Sequence, residues 1–298
     1  MEVAPYGGWA RCARFVAGDT EALVTLEVGP RIIRYGRIGG PNVMAEYPAQ
    51  MGLTGGGEYR SYGGHRLWTA PEDLARTYEP DNAPPAVREE CGGFAFTTPL
   101  GPARLEREIW LRPEEDRVVL EHRITNFGEA PVEVAPWCLT VMAAGGECLW
   151  PQPEHIPHPK ALLPAAPLVL WHYTRMDDPR WSWGARIARL RHAAGAGPQK
   201  AGSFVRQGWA AYANLGSTFV KRFPADPSAR YPDFGCNFET FTRHDMLEVE
   251  SLGPLTALAP GGTARHPEEW RLFEGSPPRE DEACAAWFEA KLPGLPPL

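Results

Sequence analysis

Glu239 stands in the run Cys236-Asn237-Phe238-Glu239-Thr240, among aromatic neighbours. A carboxylate in such surroundings is partly desolvated, which raises its proton affinity toward the range useful to a general base. Glu248 and Glu250 lie two residues apart in the run 246–252, so a strand would present both on one surface, opposite Leu247 and Val249. The plain reading of that pair is solvent exposure. His122 shares a face with Val118, Leu120 and Ile124 and therefore points inward, either as a satisfied core histidine or as the floor of a site. His155 and His158 form His-Ile-Pro-His, a spacing that could present two imidazoles to a metal, but only Glu154 adds a further ligand and no metal centre is expected. Gly-rich phosphate loops, a Gly-x-Ser-x-Gly elbow and a His-Glu-x-x-His helix are absent, which removes the common nucleotide, hydrolase and zinc-protease readings.

Residues 63–85 gather His65, Arg66, Trp68, Asp81 and Asn82 between glycines and prolines. That composition predicts a rigid loop displaying polar groups at the rim of a binding site, with a purely structural Pro-rich connection as the alternative. The chain also carries 11 Trp and 9 Tyr, and Trp68, Trp137, Trp150, Trp171, Trp181, Trp183 and Trp209 fall at strand ends or loops. Flat rings cover the apolar face of a sugar while Asp, Asn, Arg and His bind its hydroxyls, so the set points to a small-molecule carbohydrate partner. Each tryptophan taken singly is more simply a filler of a large core.

These side chains must be positioned by strands. Short β-rich runs bounded by turn residues recur along the chain, from 22–28 and 31–35 through 92–98, 105–111 and 118–125 to 238–241, 246–252 and 270–273. Only 279–292 reads as a helix, with acidic residues first, Ala283, Trp287 and Phe288 at helical spacing, and Pro293 to stop it. The fold class expected is all-β, a large antiparallel sandwich or barrel in one domain spanning 1–298, with residues 1–20 as an N-terminal extension.

A net charge of −7 and a pI near 5.7 argue against nucleic-acid or anionic-membrane partners, which need a basic footprint. Neither an 18-residue apolar stretch nor a basic-then-apolar N-terminus is present, so the expected location is the cytoplasm. The six cysteines contain no Cys-x-x-Cys pair and read as reduced, buried thiols.

Several short segments, in order, resemble the galactose mutarotase-like superfamily and its aldose 1-epimerases. They are Val28-Gly-Pro-Arg-Ile-Ile followed by Asn42, Gly64-His65, Thr125-Asn-Phe-Gly, Phe238-Glu239-Thr240 and Leu258-Ala-Pro-Gly261. The resemblance implies a β-supersandwich with the sugar in an open groove on one sheet. It implies Glu239 as the base that takes the anomeric hydroxyl proton, a histidine as the acid, with His65, as acid or orienting group, or else His122 the candidates here, and no cofactor. It further implies Arg31, Asn42 and His65 as sugar ligands, to which Arg66, Trp68, Asp81, Asn82, His122 and Trp137 are added as candidates. Mutarotases carry a second histidine after the Asn-Phe-Gly type of turn, whereas this chain reads Ala135-Pro136-Trp137-Cys138-Leu139-Thr140 there. That departure keeps two other functions open, a non-catalytic carbohydrate-binding module and a sugar lyase or hydrolase on a similar sandwich.

Overall fold

The computed structural model describes residues 1–292. Its strands, in chain order, are β1 (Glu2–Tyr6), β2 (Trp9–Ala17), β3 (Thr20–Thr25), β4 (Ile32–Arg37), β5 (Gly64–Ala70), β6 (Ala86–Glu90), β7 (Gly93–Thr97), β8 (Leu105–Pro113), β9 (Val118–Asn126) and β10 (Val132–Met142). They continue as β11 (Glu147–Pro151), β12 (Leu168–Leu170), β13 (Trp181–Trp183), β14 (Ile187–Arg191), β15 (Gln199–Ser203), β16 (Trp209–Asn214), β17 (Ser217–Arg222), β18 (Phe238–Arg243), β19 (Met246–Leu252), β20 (Thr256–Leu258) and β21 (Thr263–Glu274). One helix, α1 (Asp281–Lys291), follows.

Two antiparallel sheets face each other. The first has 11 strands in the order β1-β2-β3-β4-β5-β10-β19-β18-β15-β12, with β20 paired to β10; the second has 10, in the order β13-β14-β11-β16-β17-β21-β9-β8-β7-β6. Alternation along each strand sends one set of side chains into a shared core, where Leu67, Cys138, Phe238, Leu247 and Val249 of the first sheet meet Ile109, Leu120, Phe219 and Trp270 of the second. The fold is thus an all-β antiparallel sandwich, one of the two architectures that the turn-punctuated runs predict, and the one that the resemblance implies.

Residues 1–20, expected to be an extension, instead supply β1 and β2, and Trp9, Cys12, Ala13 and Phe15 are buried there. The helix is capped by Glu280, whose carboxylate accepts from the backbone N–H groups of Glu282 and Ala283, and it carries Lys291 in its last turn. Cys284, Ala285 and Phe288 of α1 pack on Leu149, Ile187, Ala211 and Val220, so the helix covers the outer face of the second sheet. Pro293 lies outside the described residues. No helix among the described residues is long and apolar enough to cross a membrane. Five of the cysteines are buried and Cys91 is exposed.

Candidate functional site

The centre of the 11-stranded sheet is a lattice of opposed residues. One row runs Gly64, Val141, Glu248, Phe241, Lys200 across β5, β10, β19, β18 and β15; the next runs Arg66, Leu139, Glu250, Glu239, Gly202. Because directly opposed residues point to the same side, both rows face away from the core, as do Trp68 and Trp137, which are opposed one pair further along. Gly202 is required at the end of its row, since a Cβ there would lie 2.5 Å from Cys236 Sγ and 3.2 Å from Glu239 Cγ.

A cavity of about 230 Å³ lies on this outer face. Its floor is formed by Arg66, Trp68, Trp137, Leu139, Phe241 and Glu248, with Lys200 and Arg243 at one side and Tyr59, Ser61, Glu72, Tyr78 and Tyr173 around the rim. The volume is below the usual range of about 300–1,000 Å³ for drug-sized ligands and suits a single small ring. Trp68 and Trp137 meet edge to face at 5.3 Å, Tyr59 and Tyr78 pack on Trp68, and the Arg66 guanidinium stacks 4.2 Å from the Trp68 ring centre.

Two electrostatic groups share the floor. In the deeper one, Lys200 Nζ lies 2.7 Å from Glu239 and 3.2 Å from Glu250, between the rings of Trp137 and Trp171, and the Trp137 indole donates to Glu250 Oε2 at 2.7 Å. Burial alone would lower the Lys200 ammonium, but the two carboxyls outweigh it and hold it well above the usual lysine range. Burial, reinforced by Glu250, pushes Glu239 well above the usual carboxylate range despite Lys200. Two carboxyls around one ammonium in a dry site thus keep an extra proton, which the geometry assigns to Glu239, whose oxygens make no well-directed hydrogen bond. In the shallower group, the Glu248 carboxylate faces Arg66 Nη2 at a loose 3.6 Å and borders the cavity. Burial and the neighbouring Glu250 push Glu248 up to about 7, against the pull of Arg66, Lys200 and Arg243. Arg66 is itself under-satisfied: Nη1 donates to Ser61 Oγ at 3.0 Å, and the buried Nε has no partner among the described residues.

The residues singled out in the sequence separate into three places. Arg66, Trp68 and Trp137 line the cavity, and Glu239 lies beneath Lys200 on the same face without reaching the cavity surface. Arg31, Asp81, Asn82 and Asn42 bind the protein instead. Arg31 donates to Asp81 at 2.8 Å and to the Arg60 carbonyl at 3.1 Å; Asn82 donates to the carbonyls of Gly56 and Glu58 and accepts from the Tyr62 hydroxyl. Asn42 ties the backbones of Ile33, Tyr35 and Met44. The first three brace the 55–62 segment that carries Tyr59 and Ser61 to the rim.

His65 and His122 occupy the interior. The alternation that turns Arg66 and Trp68 outward turns His65 into the core, where its Nδ1 meets Thr140 Oγ1 at 2.9 Å and its Nε2 meets His122 Nε2 at 2.8 Å. Burial holds both imidazoles below their ordinary range. Beside them His266, Ser251 and Glu268 form a hydrogen-bonded group, and Lys221 Nζ lies 3.0 Å from Glu268 and donates to the carbonyls of Cys138 and Val249. His65, His122 and Glu268, like Cys138, His266 and Glu268, converge closely enough to hold a metal, but the Lys221 ammonium already supplies the cation that Glu268 balances. His155 and His158 are exposed in the loop after β11.

Residues 63–85 therefore do not form one loop: 64–70 is the buried strand β5, and only the part after Ala70 connects elements on the surface. Sequence reasoning missed Lys200, Tyr173, Phe241 and Arg243. The two-residue period that relates Glu239 to Phe241 and Arg243 was available in the sequence, whereas Lys200, in Pro-Gln-Lys-Ala-Gly, carries no signal of a strand or a site. Glu248 and Glu250 do share a face, as expected, but Glu250 is fully buried and Glu248 nearly so.

A second cavity, of about 610 Å³, lies between α1 and the loop after β11, lined by Trp209, Phe288, His155 and Arg186 among others. Its Arg186 pairs with Glu282 and Glu289 at the exposed rim, so it lacks the convergent buried charges of the first.

Solved structures place this architecture in a class. The chain is similar to a galactose mutarotase-like protein from Lactobacillus casei, with a TM-score of 0.58 and 10% identity over 88% of this chain and 99% of that one. It is also similar to a candidate aldose 1-epimerase from Klebsiella pneumoniae, with a TM-score of 0.59 and 11% identity over 98% of this chain and 85% of that one. A galactose mutarotase-like protein from Clostridium acetobutylicum gives a TM-score of 0.52 and 9% identity over 89% and 95% of the two chains. The fold is therefore galactose mutarotase-like. No protein-family model matches the chain, and none of the curated proteins matches it in sequence.

Proposed function

We propose that the chain binds one sugar ring in the cavity on the 11-stranded sheet and interconverts its anomers, as an aldose 1-epimerase does. The observation that carries this reading is the cavity itself: an aromatic floor of Trp68 and Trp137 beside Arg66, Lys200 and Glu248, in a space of about 230 Å³. Aromatic faces take the apolar side of the ring, and the charged groups bind hydroxyls and move protons without a metal or organic cofactor. The similar solved proteins described as mutarotase-like or as candidate aldose 1-epimerases support the choice of reaction.

The test is magnetisation-exchange NMR on a panel of aldoses. The expected result is transfer between the α and β anomeric protons of at least one sugar at a rate above buffer. Saturation transfer from protein to sugar without such exchange, across the whole panel, would instead select the carbohydrate-binding module.

A further inference from the structure

Anomer exchange requires that the anomeric hydroxyl lose a proton while the ring oxygen gains one. The usual solution is a base and an acid on separate side chains. In this cavity the imidazoles are missing, because His65 and His122 face the opposite side of the sheet. Glu239 and Glu250 are committed to Lys200 and lie below the cavity surface. The rim phenols of Tyr78 and Tyr173 are held protonated by burial, with Glu72 accepting from the Tyr78 hydroxyl. Glu248 is the residue on the floor whose carboxyl borders the cavity; that carboxyl, unlike its main-chain carbonyl, which accepts from Thr240 Oγ1, receives no side-chain hydrogen bond among the described residues, and its ion pair to Arg66 is long.

Resting on the function proposed above, we infer that Glu248, as a neutral carboxylic acid, performs both proton transfers itself. Its O–H donates to the ring oxygen while its carbonyl oxygen accepts the proton of the anomeric hydroxyl. The bond from the anomeric carbon to the ring oxygen breaks, the anomeric carbon and its former hydroxyl oxygen become the aldehyde, and the carboxyl emerges still protonated, on its other oxygen. Rotation about the bond next to the aldehyde and the reverse transfer close the ring on the opposite face. The geometry of the two partners matches, since a carboxyl carries two oxygens on one carbon and the reacting centre likewise carries the ring and hydroxyl oxygens on one carbon. No second catalytic group is needed, which accounts for a mutarotase-like groove that has an indole, Trp137, and no histidine on its floor.

The surroundings favour the protonated form. Glu250 on the same strand repels a charge at Glu248, and the site is buried; Arg66 of β5, Lys200 of β15 and Arg243 of β18 oppose this, and the balance puts its titration near 7. Lys200 is largely neutralised by Glu250, with the protonated Glu239 beside it, and Arg243 is drawn to Asp245 at 3.1 Å. Tyr47, Tyr78 and Tyr173, the phenols facing it from the loops, stay neutral in this range.

The sign of the pH dependence separates this mechanism from ordinary base catalysis. The wild-type exchange rate, corrected for buffer, should be level below about pH 7 and fall by about tenfold per pH unit above it, because the acid form is the active one. Glu248→Gln should bind sugar, read by saturation transfer, with its exchange rate down roughly 100-fold or more, and Glu248→Asp should restore part of the rate with the same falling profile. A rate that rises through pH 7, or an unchanged rate in Glu248→Gln, overturns the proposal while leaving anomer exchange intact. Absence of both binding and exchange with every aldose overturns the parent function, and this mechanism with it.

Discussion

Glu248 ties the chemistry of the site to the stability of the fold. Its carboxyl titrates near 4.5 when free and near 7 in place, so between those values the folded state holds a proton that the unfolded chain has lost. The group's favourable contribution is therefore complete below about 4.5 and disappears as the pH rises through 7, where the buried charge costs up to roughly 3 kcal/mol. Glu248→Gln, which never ionises, should gain on the wild type as pH rises: little difference in urea unfolding at pH 5, and a variant more stable by an amount approaching that figure at pH 8. Equal differences at both pH values would show that Glu248 is not the buried titrating group described. At this scale the sequence was partly legible. The spacing of Glu248 and Glu250 gave the shared face, but not whether that face was wet, because burial came from Tyr173, Lys200 and Arg66 on strands and loops distant in the chain. The neighbours of Glu239 did announce its raised proton affinity, whereas its cover, Lys200, was silent.

Strand β5 decides which candidate residues reach the site. Its residues alternate between the core and the groove, so neighbours in the Gly-His-Arg-Leu-Trp run part company: Arg66 and Trp68 go to the cavity, His65 and Leu67 to the interior. The glycines and prolines around it suggested a loop because turn residues and a close strand approach use the same amino acids. Gly64 is there for the approach. It adopts φ +66°, and a Cβ would lie 2.4 Å from the Ile32 carbonyl oxygen and 2.9 Å from Ile33 Cα, where β5 meets β4. Gly64→Ala should therefore cost roughly 1–3 kcal/mol in equilibrium unfolding, from left-handed strain and backbone overlap together. A neutral substitution would mean that β4 and β5 are not held this closely. Regular elements such as β9 and β19 were readable from alternation alone, while β11 and β13 were hidden because small and polar residues interrupt their patterns.

At the scale of the whole molecule, the sandwich keeps two ionic systems on opposite sides of one sheet. The interior system of Lys221, Glu268 and three histidines lies between the sheets; burial lowers His266 to about 3, and Lys221 and the imidazoles hold Glu268 below the usual carboxylate range although burial alone would raise it. The outer system of Lys200, Arg66 and three glutamates faces solvent through the cavity. The resemblance in the sequence was enough to foresee the supersandwich, since turn signals and short motifs survive where overall identity does not, but it carried residue roles across a register that only strand pairing fixes. The central claim is that the outer system is where a sugar binds, and a crystal structure with the aldose that shows the strongest saturation transfer tests it most directly. The account predicts one ring lying against Trp68 and Trp137, with its anomeric carbon next to Glu248 and hydroxyls on Arg66 and Lys200. A sugar seated instead between Trp209 and Phe288 beneath α1, with the first cavity empty, would contradict it.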